Sequence, residues 1–157
     1  MNKIPMTSSG YEKLQEELKK LINEDRPNII ADIAEARSHG DLSENAEYQY
    51  AKEQQSLIEG KIQELESTSG LAEIIDVSQL SGNEIKFGAT IEIEDNDTGN
   101  KSKYQIVGEY ESDINNKKLS IKSPLARGLI GKTKDDIVEV NSPKGIKSYT
   151  VLSVKFI

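Results

Sequence analysis

Two carboxylates three residues apart, Asp41 and Glu44 in the run Gly40-Asp41-Leu42-Ser43-Glu44, carry the most chemistry in this sequence. At that spacing both side chains can face one way and offer hard oxygen donors to a single Mg²⁺. Two such groups do not hold the ion well alone, because Mg²⁺ prefers six oxygens and keeps its water. Half a metal site is useful where another protein supplies the other half, as in two-metal phosphoryl chemistry with a recruited second ion. The same residues also read as a capping box, with Asp41 capping a helix and Glu44 reaching back. Capping and metal positioning do not exclude each other.

The elements that must present this pair are helical. Thr7 to about Glu73 is rich in Glu, Lys, Gln, Leu and Ala, all good helix formers. Leu14, Leu18 and Leu21 recur at helical spacing, followed by Ile22, Ile29, Ile33 and Ala36; after the Gly-Asp pair come Tyr50, Leu57, Ile58, Ile62 and Leu65. Narrow apolar stripes of this kind predict two helices burying one seam. Thr7 or Ser8 is suited to cap the first helix, and Pro27 is expected to kink it. Gly40 is placed to end that helix in the left-handed conformation and Asp41 to cap the next, which predicts a tight αα-hairpin. At ~1.5 Å per residue, Tyr11 to Ser38 would span about 42 Å, with the acidic pair at its far end.

From about Ile85 the pattern turns to alternation: Ile85, Phe87, Ala89, Ile91 and Ile93, then a DNDTGNK turn. Tyr104–Val107, Leu119–Ile121, Ile137–Val140 and Tyr149–Phe156 are further candidate strands, with Ser142-Pro143-Lys144-Gly145 as the last turn and one short helix from Pro124 to Ile130. The fold class is α+β: a coiled-coil hairpin over 1–75, a linker over 76–84 and a small antiparallel sheet with a short helix over 85–157.

Composition bounds the function. Of 157 residues, 35% are hydrophobic and 30% charged, a balance that suits much exposed helix. Cysteine is absent, which excludes disulfides, thiolate zinc sites and thiol nucleophiles. No apolar run approaches the roughly 18–20 residues that span a bilayer, and the N-terminus lacks a secretory core, so a cytoplasmic protein without membrane contact is expected. The formal net charge is −7 and lies wholly in residues 1–75, which carry 8 Lys and Arg against 15 Asp and Glu; residues 76–157 carry 12 of each. An acidic arm argues against autonomous nucleic-acid binding and for a basic cleft or a metal ion as its destination.

The longer motifs are more specific. Ala34-Glu35-Ala36-Arg37, Gly40-Asp41-Leu42, Glu44-Asn45-Ala46-Glu47-Tyr48 and Ala51-Lys52-Glu53-Gln54-Gln55, together with Ser123-Pro124-Leu125-Ala126-Arg127-Gly128-Leu129-Ile130-Gly131-Lys132, resemble the signatures of the Gre family of bacterial transcript-cleavage factors, GreA type. The resemblance implies an N-terminal antiparallel coiled coil and a C-terminal domain of FKBP-like fold. It implies bacterial RNA polymerase as partner, with the second domain docking at the rim of the secondary channel and the coiled coil entering it. Asp41 and Glu44 would then help hold a second Mg²⁺, shared with the polymerase, and stimulate cleavage of backtracked RNA by the polymerase itself. The factor would not be an enzyme alone, and would meet the nascent RNA 3′ end and DNA only inside the elongation complex.

By the same resemblance, Arg37 and Lys52 match a basic patch facing RNA, although Lys52 lacks the fork of an Arg-rich version. As plain coil residues they would pair weakly with neighbouring acids. Pro124, Arg127 and Gly131 would belong to the polymerase-docking surface; as ordinary punctuation, Pro124 would start a helix and Gly128 and Gly131 would end it. His39 reads as a dipole partner at a helix end, and Tyr48 and Tyr50 as seam or surface residues. A prolyl isomerase activity is not expected, since fold is not function. A monomer is expected, with pairing through an exposed seam left open. The rival readings are a non-cleaving competitor for the same channel, and a generic coiled-coil scaffold or chaperone.

Overall fold

The computed structural model describes residues 3–40 and 45–157, and these divide into two compact units. One contains Tyr11–Ala72; the other contains Lys3–Gly10 and Glu73–Ile157. Asp41 and Glu44 lie outside the described residues.

In the first unit, α1 (Ser8–Lys20, whose first turn belongs to the second unit), a π-helical turn (Leu21–Asp25) and α2 (Arg26–Arg37) run without a break, and α3 (Ala46–Leu71) returns. The interruption expected at Pro27 is this π turn, closed by the Arg26 amide on the Leu21 carbonyl. Two causes coincide. Proline lacks an amide hydrogen and its ring crowds the preceding turn. In addition, Leu21 and Ile29 are eight residues apart where a coiled-coil seam repeats every seven, and one π turn absorbs one extra residue. Beyond it Ile29, Ile33 and Ala36 are buried, and Ile29 and Ile33 cluster with Ala51 of α3; Ile62 and Leu65, farther along α3, are buried as well. The start of α2 is tied to α3 by a two-pronged pair, Arg26 Nε and Nη2 each 2.8 Å from a Glu59 oxygen.

Four expectations for the hairpin need correction. Tyr50 and Leu57 do not join the seam; they are 64% and 67% exposed, and Ala51 and Ile58 pack there instead. The connection is also longer than Gly-Asp, because α2 ends at Arg37 and α3 begins only at Ala46. Asn45, not Asp41, is the N-cap of α3, its side chain accepting from the Tyr48 amide at 3.1 Å. Gly40 has φ +135°, a conformation open to glycine but not the left-handed helical cap.

The second unit holds β1 (Ile4–Thr7), paired with β2 (Ala72–Ile75), and a five-stranded sheet. The strands β3 (Thr90–Asp95), β4 (Lys101–Val107), β5 (Lys118–Ser120), β6 (Ile137–Ser142) and β7 (Gly145–Lys155) lie in the order β5-β4-β3-β7-β6. The sheet is not wholly antiparallel as expected: β5 runs parallel to β4, placed by the 108–117 connection rather than by a hairpin. Ile85, Phe87, Ala89, Ile91 and Ile93 are all buried as their alternation predicts, yet the strand starts only at Thr90. Gly88, at φ +88°, turns the chain before it. The short helix α4 (Pro124–Leu129) buries Ala126 and Leu129 in the same core as Ile91, Ile106 and Val138.

Candidate functional site

The described residues that flank 41–44 are held by a small polar network. At the end of α2 the Ser38 hydroxyl donates to the Glu35 carbonyl at 2.6 Å and the His39 amide to the Ala36 carbonyl at 3.1 Å. Asn45 Nδ2 donates to that same Ala36 carbonyl at 2.6 Å. The last turn of α2 therefore has partners for carbonyls that a helix end leaves unpaired. His39 Nδ1 lies 3.1 Å from Glu47 Oε2, so it bridges to the first turn of α3 as well as following the end of α2. Both side chains are exposed, which limits the strength of this pair.

Two grooves flank the seam between residues 29–39 and 47–55, and they differ in charge. One groove is bordered by Arg37 and Lys52 with Ile30, Ile33, Ala34 and Gln55. The Arg37 guanidinium stands 5.8 Å from the centroid of the Tyr48 ring, and Lys52 Nζ donates to Gln55 Oε1 at 3.1 Å. Among the described residues the contacts of these two cations are a ring and a neutral amide rather than a carboxylate. The other groove is bordered by Asp32, Glu35, Glu47, His39 and Tyr50. Thus the structure brings Arg37 and Lys52 together on one face, with Tyr48 partly buried against the seam and Tyr50 on the acidic side.

In the second unit, Ser123 caps α4 through its hydroxyl, which accepts from the Ala126 amide at 3.2 Å. Pro124 occupies the start of α4, where no amide hydrogen is needed. Pro124 and Arg127, three residues apart, are both exposed, while Ala126 and Leu129 point inward. Gly131 has φ +88° and donates its amide to the Ile85 carbonyl at 2.8 Å. Its glycine therefore has a backbone reason independent of any partner.

Among the described residues no group of three or more His, Cys, Asp or Glu side chains is arranged to hold a metal ion, and no helix is long and apolar enough to cross a membrane. Sequence reasoning passed over Asn45 and the His39–Glu47 pair. A helix-capping residue type just before Ala46-Glu47 was the available signal for the first; the second depends on how the two helices face.

Comparison with known proteins accounts for both halves. Residues 4–74 match the family described as transcription elongation factor, N-terminal, and residues 80–156 match transcription elongation factor, GreA/GreB, C-term. A protein of Phenylobacterium zucineum named transcription elongation factor GreA is 54% identical over 157 residues, covering 100% of each chain. One of the same name from Bradyrhizobium diazoefficiens is 59% identical over 156 residues, 99% of each chain. Among solved structures, the crystal structure of GreA factor homolog 1 (Gfh1) of Thermus thermophilus aligns with 98% of this chain and 99% of its own, at 26% identity and a TM-score of 0.45. The chain belongs to the GreA/GreB family of transcription elongation factors.

Proposed function

We propose that this protein stimulates the cleavage of backtracked RNA by bacterial RNA polymerase, rescuing arrested elongation complexes. The observation that supports this reading best is the hairpin end: Asn45 ties the end of α2 to the start of α3, bracketing the 41–44 segment that carries Asp41 and Glu44. Family membership supplies the setting. The second unit docks on the polymerase through Pro124, Arg127 and Gly131, and the hairpin enters the secondary channel. The unit containing Tyr11–Ala72 serves for insertion, and the unit containing Lys3–Gly10 and Glu73–Ile157 serves for docking.

Asp41 and Glu44 bring two hard anionic donors, a set that fits Mg²⁺ but only in part, consistent with an ion whose remaining ligands come from the polymerase. When bound there, the second Mg²⁺ would activate water and offset charge on the phosphate. The chain's own work is to carry those carboxylates to the site and orient them. Arg37 and Lys52, on one face of the same hairpin, attract the phosphates of the extruded RNA segment. The protein is not an enzyme by itself on this account, and acts as a cytoplasmic monomer that meets RNA and DNA inside the complex.

The test is RNA cleavage in stalled, backtracked elongation complexes with purified protein. Shortened transcripts that resume extension support the reading. Binding without cleavage would replace it with a competitor for the same channel. Absence of polymerase binding would leave a generic coiled-coil protein.

A further inference from the structure

The first turn of α1 is capped by two residues far apart in sequence. Thr7, at the N-cap, accepts on Oγ1 from the Gly10 amide at 3.1 Å. In a local capping box the third helical residue is Glu or Gln, whose side chain returns to the N-cap amide. Here that residue is Gly10, with no side chain to return. The Thr7 amide donates instead to Glu111 Oε2 at 3.0 Å, and the Thr7 hydroxyl donates to Glu111 Oε1. Glu111 takes the place of the missing side chain in space as well: a Cβ on Gly10 would lie 1.9 Å from Glu111 Oε1.

The same carboxylate serves its own turn, since the Gly108 amide donates to Glu111 Oε2 at 2.9 Å. Pro5 runs so close that a Cβ on Gly108 would lie 2.3 Å from its carbonyl oxygen. A negative charge at this position also suits the positive end of the helix. All of these residues belong to the second unit, and α1 continues from them into the first unit without a break.

A local box would cap α1 and do nothing else. A cap supplied by the turn after β4 also fastens the root of α1 to that turn. We propose that Glu111 is a positioning residue for transcript cleavage, holding the root of the helical arm that leads to Asp41 and Glu44. Its consequence for cleavage rests on the function proposed above; the remote cap itself does not.

Three variants separate fastening from capping. Glu111→Ala removes both. Gly10→Glu added to Glu111→Ala restores a local box in the space vacated, without the link to 108–111. Glu111→Gln keeps one oxygen able to accept from both the Thr7 and Gly108 amides. Amide exchange and cleavage of backtracked RNA across a range of factor concentrations are measured for each. In Glu111→Ala, exchange at Thr7 and Gly108 should accelerate roughly tenfold. Its maximal cleavage rate should fall roughly ten- to a hundredfold, with little change in the half-saturating concentration. In the double variant Thr7 should regain protection, Gly108 should not, and cleavage should stay low; Glu111→Gln should resemble the wild type. Recovery of cleavage in the double variant would reduce Glu111 to a cap and overturn the proposal, as would unchanged Thr7 exchange in Glu111→Ala. If the wild type stimulates no cleavage while exchange follows the expected pattern, the positioning role falls with the proposed function and only the remote cap stands.

Discussion

Asn45 Nδ2 donates to the Ala36 carbonyl at 2.6 Å, joining the first residue before α3 to the last turn of α2. The other end of the same side chain accepts from the Tyr48 amide. One residue therefore closes one helix and opens the next, and fixes the two ends of the segment that contains Asp41 and Glu44.

Replacing Asn45 tests that double role. Asn45→Ala should cost about 1–2 kcal/mol, the usual range for a lost N-cap plus a lost partner for a helix-end carbonyl. Asn45→Asp keeps the acceptor and loses the donor, so its cost should be smaller. Urea unfolding measures both. Cleavage stimulation should follow the same order, because the tip segment loses its anchor.

The cationic face makes a different prediction. Arg37→Gln and Lys52→Gln touch exposed side chains held by a ring and an amide, so stability should change by no more than about 0.5 kcal/mol. Cleavage should fall, and the fall of wild-type activity with rising salt should become shallower in the variants, since fewer phosphate contacts remain to be screened. Activity at two salt concentrations and a melting curve decide this.

Gly131 and Arg127 should separate fold from docking. Gly131→Ala forces a side chain onto a φ of +88° and should cost about 1–2 kcal/mol of stability. Arg127→Ala, at an exposed position of α4, should leave the melting temperature near that of the wild type and weaken retention of polymerase in a pull-down.

Acid should destabilise the second unit partly through Asp136. Its carboxyl is held below the usual carboxylate range, first by the Thr133 amide, which donates at 2.8 Å, and further by the Thr133 hydroxyl and the charge of Lys132. A depressed folded value stabilises above the unfolded value, near pH 4, and this contribution disappears as pH falls through the folded value. Between roughly pH 5 and 3, melting temperature should therefore drop more steeply in the wild type than in Asp136→Asn.

Much of this architecture is legible in one dimension because burial follows period. Ile29, Ile33, Ile62 and Leu65 mark the helical seam, and Ile85 to Ile93 mark the core face of the sheet. Period alone misplaces Tyr50 and Leu57, which stand beside the seam rather than in it; a helical stripe cannot tell adjacent faces apart without knowing its partner. It also takes 85–89 as strand, where Gly88 bends the chain while burial continues. The π turn was half visible, as a proline without the accompanying shift of register. Two features leave almost no local trace. The strand β1 is four residues long and depends on β2, near the other end of the hairpin. The Thr7–Glu111 cap joins residues 104 positions apart, and its only sign in the sequence is a glycine where a capping glutamate would stand.

The most direct test of the account is cleavage by Asp41→Asn and Glu44→Gln, singly and together, in backtracked complexes. Asn45 caps α3, so neither substitution removes that cap, while each removes a negative charge that a shared Mg²⁺ would require. Cleavage should collapse in the double variant while helix content by circular dichroism and polymerase binding stay at wild-type levels. Cleavage at the wild-type rate by that variant would contradict the account.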